Sequence, residues 1–171
     1  ALYVDYEVIE KNKEQVTAVM SAVPKTLVDN VLAAVAKAEL DPIMLEPGIN
    51  AVARLLENTE EGHLTTLIVD IGPASTDIAV LEGSTIRISG GLGIGGNTFT
   101  LDIAKKLNIT LENAHQLKVL NGINASPRQK QIVNALTPSL ERIVAEVRKV
   151  MRYYSERVSE GHKIEQVLVV G

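Results

Sequence analysis

The stretch from Leu67 to Val80 constrains the fold of this chain more than any other feature of its sequence. An apolar run ends at Asp70, small residues follow from Gly72 to Thr76, and apolar residues then alternate with others. This order predicts a strand, a tight turn and a second strand that pairs with the first.

Asp70 stands at the mouth of a strand that the pattern predicts to be buried. A carboxylate is costly to bury unless a partner compensates its charge, and a metal ion with its waters is a common partner. The following turn offers backbone amides and the hydroxyls of Ser75 and Thr76, which are suitable donors to phosphate oxygens. An ordinary hairpin with a polar turn explains the same residues without a ligand. The neighbouring sequence is needed to choose between a ligand site and an ordinary hairpin.

A second glycine-rich turn lies close by. Residues 85–89 read as a third strand of an antiparallel meander, and the glycines between Gly90 and Gly96 lead into a helical pattern that begins at Phe99. Such a turn brings bare backbone and the positive end of a helix close to an anion. Two turns of the phosphate-binding type within one short stretch favour a ligand.

These residues resemble a known superfamily. The Asp-x-Gly turn at Asp70, with Ser75 and Asp77 after it, is similar to the second phosphate motif of the actin-like ATPases, which include sugar kinases and heat shock chaperones. Residues 95–104 and 111–118 narrow the resemblance to the PilM family of type IV pilus assembly, with the FtsA cell-division family next. The resemblance implies an α/β fold of the actin-like, ribonuclease H-like type, present in part.

The resemblance also implies roles for individual residues, with ATP and Mg²⁺ as cofactors. Asp70 would hold Mg²⁺ through water and, with Asp77, support catalysis. The residues implied to contact the nucleotide are Gly72, Ser75, Thr76, Gly95, Gly96, Glu146, Lys149 and Gly171. Pro73 departs from the pattern, because it stands where the superfamily has a small residue with a free amide and proline has no N–H to donate.

Residues 1–46 predict a small β-β-α-β unit. Its elements are expected as strands at 2–8 and 15–23, a helix from Pro24 to about Glu39, and a short strand at 43–45. Within the resemblance, this unit corresponds to the subdomain called 1C, which is inserted in the PilM and FtsA families.

The rest of the chain divides into a connection and a lobe. Residues 47–63 predict a connecting helix and a linker, and the polar run at 59–63 is the boundary signal. Residues 64–171 would form the nucleotide-binding lobe, similar to subdomain 2A, with a reduced 2B-like helical part around 108–136.

Helices are predicted between the meander and the end of the lobe. Thr110 is expected to cap a helix over 111–120, and Ser126–Gln129 has the signals of a longer helix that Pro138 would kink or break. The final run at 164–171 predicts a buried strand. We expect this strand to lie parallel to the one that ends at Asp70.

The predicted helices would cover the sheet. One runs from Phe99 to Leu107, and the second part of the longer helix carries an apolar stripe from Leu140 to Val158 that includes Val144.

Composition excludes several classes of protein. The chain has no cysteine, so disulfides and thiolate metal sites are ruled out, and it has no apolar run near the ~20 residues that span a bilayer. A net charge of −4 gives no general affinity for nucleic acid, and 3% aromatic residues are too few for base-stacking platforms. We expect a cytoplasmic protein without a nucleic-acid partner, recruited only indirectly to the inner face of the cytoplasmic membrane.

A dinucleotide site is the main competing interpretation of the glycines, since Gly91, Gly93 and Gly96 have the spacing of that fingerprint. The fingerprint requires a β-α-β unit with an acidic residue about 20 positions on, at the end of a second strand. Here that distance leads into the predicted helix over 111–120, so the required context is missing.

Within the resemblance, the expected function is that of an ATP-binding scaffold of the type IV pilus inner-membrane platform. It would grip a cytoplasmic peptide of a PilN-like membrane protein, and self-association is left open. An FtsA-like cell-division protein and a catalytically active ATPase are the alternatives. A first phosphate motif would precede residue 1 and the adenosine motif would continue beyond Gly171. We therefore expect an internal portion of a longer protein, at most a weak ATPase when whole and inactive in this portion alone.

Overall fold

The computed structural model of the chain describes residues 1–59, 64–123, 129–159 and 161–171. These residues form two compact units, 1–52 and 53–171. The predicted linker residues 60–63 and the helix-start signal at 126–128 lie outside the described residues. The predicted division into a 1C-like unit, a connection and a nucleotide-binding lobe, with boundaries after residues 46 and 63, stays a prediction.

The first unit is a β-hairpin followed by a helix. The hairpin strands pair antiparallel, and the Tyr3 hydroxyl donates to Asp29 Oδ1 of the helix at 3.1 Å. Lys25 Nζ lies 4.7 Å from the centroid of the Tyr3 ring, so the helix covers the face of the hairpin that carries Tyr3. The elements are β1 (Leu2–Lys11), β2 (Val16–Pro24) and α1 (Lys25–Lys37).

The short strand predicted at 43–45 does not form. An extended segment needs partner groups for its own N–H and C=O, and no described residue pairs with this one. Ile43 is fully exposed, and Pro42 removes a backbone donor just before it. The unit is therefore β-β-α, which corrects the predicted β-β-α-β order. A helix is present where the connecting helix was predicted: it is α2 (Gly48–Thr59), inside which the two units divide.

The second unit is built on a four-stranded sheet with the order β5-β4-β3-β6. The first three strands form the predicted antiparallel meander, and the last lies parallel to β3, as predicted. The last strand was also predicted to be buried, which is wrong, because it lies at the edge of the sheet and its Val167 and Val169 are more than half exposed. β3 is central and its first four residues are buried, which explains its unbroken apolar run. The strands are β3 (Thr66–Ile71), β4 (Thr76–Glu82), β5 (Thr85–Leu92) and β6 (Gln166–Val170).

Besides the second half of α2, three helices are present among the described residues of this unit. Thr110 caps the second of them as predicted, because its Oγ1 accepts a hydrogen bond from Asn113 N at 3.3 Å. The helices are α3 (Gly96–Leu107), α4 (Leu111–Asn121) and α5 (Gln129–Arg157).

α5 passes through Pro138 without a break. Proline removes one hydrogen bond of the helix, which is why a kink or a break was predicted, and of these the kink stays a prediction. The helix holds because Leu136 and Ser139 are buried on either side, and Thr137 Oγ1 donates to Val133 O at 2.8 Å. Tertiary packing here outweighs the local cost of proline.

Two apolar clusters hold the unit together. The first lies between the sheet and α5 and includes Ile143, Val150 and Tyr154, which confirms that α5 packs on the sheet. The second joins α3, α4 and the start of α5. α3 was expected to cover the sheet, but it packs mainly within the second cluster, and Phe99 contacts both. Val144, predicted in the apolar stripe of α5, is 45% exposed.

Candidate functional site

Three strands finish at the same end of the sheet. β6 is parallel to β3, and β5 is antiparallel to β4, so β5 also runs in the direction of β3. In the register, Thr76 lies opposite both Ile71 and Leu92, and Asp70 lies opposite Val170. We call this the turn end of the sheet, defined by residues 70–77, 91–97 and 171.

Two carboxylates face each other at the turn end. Asp70 and Asp77 are directly opposite in the β3–β4 register, so their side chains share one face of the sheet. On the other side of Asp77 lies Gly91, where a Cβ would be 2.9 Å from Asp77 Oδ1. Like charges directly opposite each other are destabilising, and a cation between them removes that cost.

Mg²⁺ fits this pair of carboxylates, since it prefers oxygen ligands and keeps several of its waters. Among the residues that the structure describes, no group of three or more His, Cys, Asp or Glu side chains is placed to hold a metal. A metal here would therefore rest on Asp70, Asp77 and water.

The turn between β3 and β4 keeps donors free despite its proline. Within the described ranges, neither Ala74 N nor Ser75 N donates to another backbone group. Pro73 has no N–H, but its carbonyl oxygen accepts a hydrogen bond from Asn97 N at 2.8 Å. Two adjacent amides therefore remain for an anion, and Pro73 serves to hold the turn.

Three of the predicted nucleotide contacts are used inside the protein. Gly96 N donates to Gly72 O at 3.0 Å, and Gly95 lies so close to this turn that a Cβ there would be 2.3 Å from Gly72 O. Thr76 is fully buried, and its Oγ1 donates to Ile94 O at 2.8 Å. The structure brings these residues to the turn end, and their contacts with a nucleotide stay predictions.

Gly171 reaches the turn end at the end of β6. A Cβ at this position would lie 2.3 Å from Ile71 O, and its φ of +123° is one that other residues rarely adopt. The residue proposed to begin the adenosine motif therefore lies directly beside the end of β3.

Glu146 and Lys149 do not join the other predicted contacts. They form a salt bridge of 2.9 Å on α5, and Glu146 Oε1 approaches Gly90. Gly90 lies opposite Ile78, whereas Asp77 is the residue before Ile78 and so points to the other face of the sheet. Glu146 therefore approaches the face opposite the two carboxylates, and the role implied for this pair stays a prediction.

Sequence reasoning missed a cation at the turn end. Lys118 Nζ of α4 donates to Gly96 O at 2.8 Å, which places its charge beside the first turn of α3. The available signal was its spacing, since Lys118 follows the buried Ala114 by four residues and therefore lies on the inward side of α4.

The opposite end of the sheet holds a different polar group, which we call the glutamate cluster: Glu82, Arg87, Tyr154 and His162. The buried Tyr154 hydroxyl donates to Glu82 Oε2 at 2.8 Å, His162 Nδ1 lies 2.7 Å from Oε1, and Arg87 Nε lies 3.7 Å from Oε2.

The glutamate cluster shifts the pKa values of two of its members. Burial, together with the hydrogen bond to Glu82, raises the pKa of Tyr154 to about 12. Burial also raises the pKa of Glu82, but the hydrogen bonds from Tyr154 and His162 and the charge of Arg87 outweigh it and hold that pKa below its usual value.

Comparison with known proteins identifies relatives of this arrangement. A family model described as type IV pilus assembly protein PilM matches residues 1–171. Cell division protein FtsA of Neisseria meningitidis serogroup B is 36% identical over 100 residues, which is 57% of this chain and 24% of that protein. No described helix is long and apolar enough to cross a membrane.

Solved structures share the fold. The PilM-PilN type IV pilus biogenesis complex matches with a TM-score of 0.79 and 25% identity, over 98% of this chain and 49% of that chain. MreB5 of Spiroplasma citri bound to ADP matches with a TM-score of 0.65 over 86% of this chain and 54% of that chain, and at 17% identity shows the fold alone. The predicted actin-like fold is confirmed, and the chain spans about half the length of these solved relatives.

Proposed function

Because the chain belongs to the PilM family of type IV pilus assembly proteins, we propose that it binds ATP with Mg²⁺ at the turn end and serves as a nucleotide-dependent scaffold. The observation that carries this proposal is the meeting of three strand ends, which gathers Asp70, the free amides of Ala74 and Ser75, and Gly171. Each supplies a different part of a nucleotide site.

The parts divide the work as follows. Asp70 holds waters of Mg²⁺, and the metal supplies positive charge against the phosphates. Ala74 N and Ser75 N donate to phosphate oxygens, as adjacent amides of a tight turn do. Gly171 has no side chain, which lets the end of β6 lie against the backbone of Ile71 and brings the start of the proposed adenosine motif to the turn end.

Hydrolysis is expected to be weak. Phosphoryl transfer needs a metal, cradled phosphates and an oriented water, and Asp77 is the carboxylate available to orient the water. Pro73 removes one donor from the cradle, while the first amides of α3 donate to Gly72 O and Pro73 O instead of a ligand. This site suits binding better than turnover.

We further propose that the first unit holds a short cytoplasmic peptide of a PilN-like inner-membrane protein, which would recruit this cytoplasmic chain to the membrane indirectly. The solved relative is a complex of PilM with PilN. In this chain Tyr6 lies opposite Met20 and Val4 opposite Ala22, and Tyr6, Met20 and Val4 are 71%, 68% and 58% exposed. These side chains form an apolar face on the side of the hairpin away from Tyr3 and α1.

A cell-division role like that of FtsA is the second candidate, since FtsA of N. meningitidis is 36% identical. That match covers 57% of the chain, whereas the PilM family model covers residues 1–171, including the whole first unit. The pilus role is therefore the better supported of the two.

The proposal is tested on a full-length protein that contains this chain. We expect it to bind a fluorescent ATP analogue more tightly with Mg²⁺ than without, and to retain an immobilised PilN peptide. Met20→Asp should abolish peptide retention, because it places a charge on the apolar face. Lys13→Asp, in the hairpin loop, is the matched control and should retain the peptide. Equal retention by both variants would place the peptide elsewhere, and the absence of any ATP binding would refute the nucleotide site.

A further inference from the structure

The first turn of α3 grips the turn between β3 and β4. Gly96 N and Asn97 N donate to Gly72 O and Pro73 O at 3.0 and 2.8 Å. The amides that begin a helix have no partner within the helix, and here two of them are satisfied by carbonyl groups of the turn. They are not free to receive an anion.

Gly95 allows this close approach. A Cβ on Gly95 would meet Gly72 O at 2.3 Å, and would come within 2.9 Å of Pro73 C and Ser75 N. All three atoms belong to backbone, so they cannot swing aside as the end of a flexible side chain would. Any other residue at position 95 would push α3 away from the turn.

Thr76 also stabilises the contact between the start of α3 and the β3–β4 turn. Its side chain is fully buried at the start of β4, and its hydroxyl donates to Ile94 O at 2.8 Å. This hydrogen bond ties the end of the first turn to the residue before Gly95. Removing the hydroxyl would leave a carbonyl oxygen in a buried place without its donor.

We propose that Thr76 and Gly95 are positioning residues, which hold the amides of Ala74 and Ser75 in place for a phosphate, and that the start of α3 is a brace and not the phosphate receptor. This inference rests on the proposed nucleotide site and gives Thr76, Gly95 and Gly96 a role other than ligand contact. Lys118 extends the brace to α4, because its Nζ donates to Gly96 O at 2.8 Å.

Amide hydrogen exchange of the full-length protein separates a brace from a receptor. Gly96 N and Asn97 N should be protected without nucleotide and change less than about twofold when ATP and Mg²⁺ are added. Ala74 N and Ser75 N should exchange fast without nucleotide and slow by about tenfold or more with it. Protection that appears at Gly96 and Asn97 only with nucleotide would overturn the proposal.

Side-chain variants test the positioning role. Thr76→Val should weaken ATP binding by about tenfold, the value of one buried hydrogen bond of ~1.4 kcal/mol, and Thr76→Ser should recover it to within about twofold. Thr137→Val removes a hydroxyl-to-carbonyl hydrogen bond of the same length within α5, which includes no residue of the turn end, and should leave the affinity unchanged. Equal loss in Thr76→Val and Thr137→Val would show a general effect of stability and refute the positioning role.

The two proposals fail in different ways. If the wild-type protein binds no ATP, the proposed function is wrong, while fast exchange at Gly96 N and Asn97 N in the ligand-free protein would refute the brace by itself. Gly95→Ala gives an independent check, because it should loosen the hydrogen bonds of Gly96 N and Asn97 N and speed exchange at these two amides by about tenfold without nucleotide. Unchanged exchange in that variant would mean that the contact does not hold the turn.

Discussion

The two ends of the central sheet use polar groups in opposite ways. In the glutamate cluster, Glu82 accepts from Tyr154, lies within bonding distance of His162 and has Arg87 close by. At the turn end, Asp70 and Asp77 face each other with like charge. The same four strands thus hold one group of polar atoms that is satisfied and another that is not.

The difference follows from what each end is expected to do. A buried hydroxyl bonded to a carboxylate stabilises the native state, because leaving either group unpaired costs about 1–3 kcal/mol. Unpaired amides and opposed carboxylates cost stability, and they persist where a ligand repays that cost. Mutations in the glutamate cluster should therefore change folding alone, and mutations at the turn end should change binding.

Asp70→Asn should produce the largest effect, and the property that it changes is the affinity for nucleotide. In the full-length protein, we expect affinity for ATP with Mg²⁺ to fall by about 100-fold, or ~2.7 kcal/mol, since the charge that holds the waters of the metal is lost. Affinity without Mg²⁺ should change little. Calorimetric titration of the wild type and the variant, each with and without Mg²⁺, measures both affinities. Equal affinities in all four titrations would show that Asp70 has only a structural role.

Alkaline pH should weaken folding through Tyr154. Its pKa is about 12 in the folded protein, against 10.0 for a tyrosine exposed to water. The unfolded chain therefore loses this proton first, and the free energy of unfolding falls as pH rises from 10 to 12, by about 2.7 kcal/mol in total. Denaturant unfolding at several pH values checks this for the wild type.

Tyr154→Phe is the control for that prediction and should lack this part of the pH dependence. Tyrosinate absorbance offers a second measurement, because the chain has four tyrosines and no tryptophan. One of the four should titrate near pH 12 in the wild type and be absent from the variant. A wild type in which all tyrosines titrate together near 10 would contradict the environment described for Tyr154.

Glu82→Gln should lower the free energy of unfolding by about 1 kcal/mol, because a neutral amide accepts the Tyr154 hydroxyl less strongly than a carboxylate. His162→Ala should cost less, about 0.5 kcal/mol, since the imidazole is exposed and exposed pairs contribute little. Neither change should alter ATP affinity. A change of ATP affinity in Glu82→Gln would contradict the proposal that one end of the sheet serves stability and the other serves binding.

The smallest effect expected is a gain in stability. Asp77→Asn removes one of two like charges that face each other, so without Mg²⁺ the free energy of unfolding should rise by about 0.5 kcal/mol. Urea denaturation in low salt, with a chelator present, is the measurement. A loss of stability would show that Asp77 is compensated within the protein.

Sequence patterns predicted the sheet well because its signals are local. The alternation of apolar residues gave the meander, and the apolar run before Gly171 gave β6, although that strand is not buried. The strand at 43–45 was predicted without a partner, and pairing depends on what the rest of the chain supplies. The alternative of a break at Pro138 was wrong for the same reason, since tertiary packing decides the cost of the proline.

Sequence patterns predicted which residues lie at the candidate site better than they predicted the contacts among those residues. Asp70, Gly72 and Ser75 come together because they follow one strand in sequence. The donation from Gly96 to Gly72, and the neighbours of Glu146, depend on tertiary approach that no spacing shows. The glutamate cluster was missed entirely, because Tyr154 and His162 follow Glu82 by 72 and 80 residues.

The parallel pairing of β3 with β6 also bears on the order in which the molecule is assembled. Thr66 pairs with Gln166, so about a hundred residues must be made before this ladder closes, whereas the meander closes over short turns. Closing a long loop costs more entropy and slows the step that requires it. On a ribosome the meander can therefore form early and β6 can be added only late. Gly171 would then reach the turn end later than Asp70 and the amides of the first turn, so the parts of the site would come together in two steps.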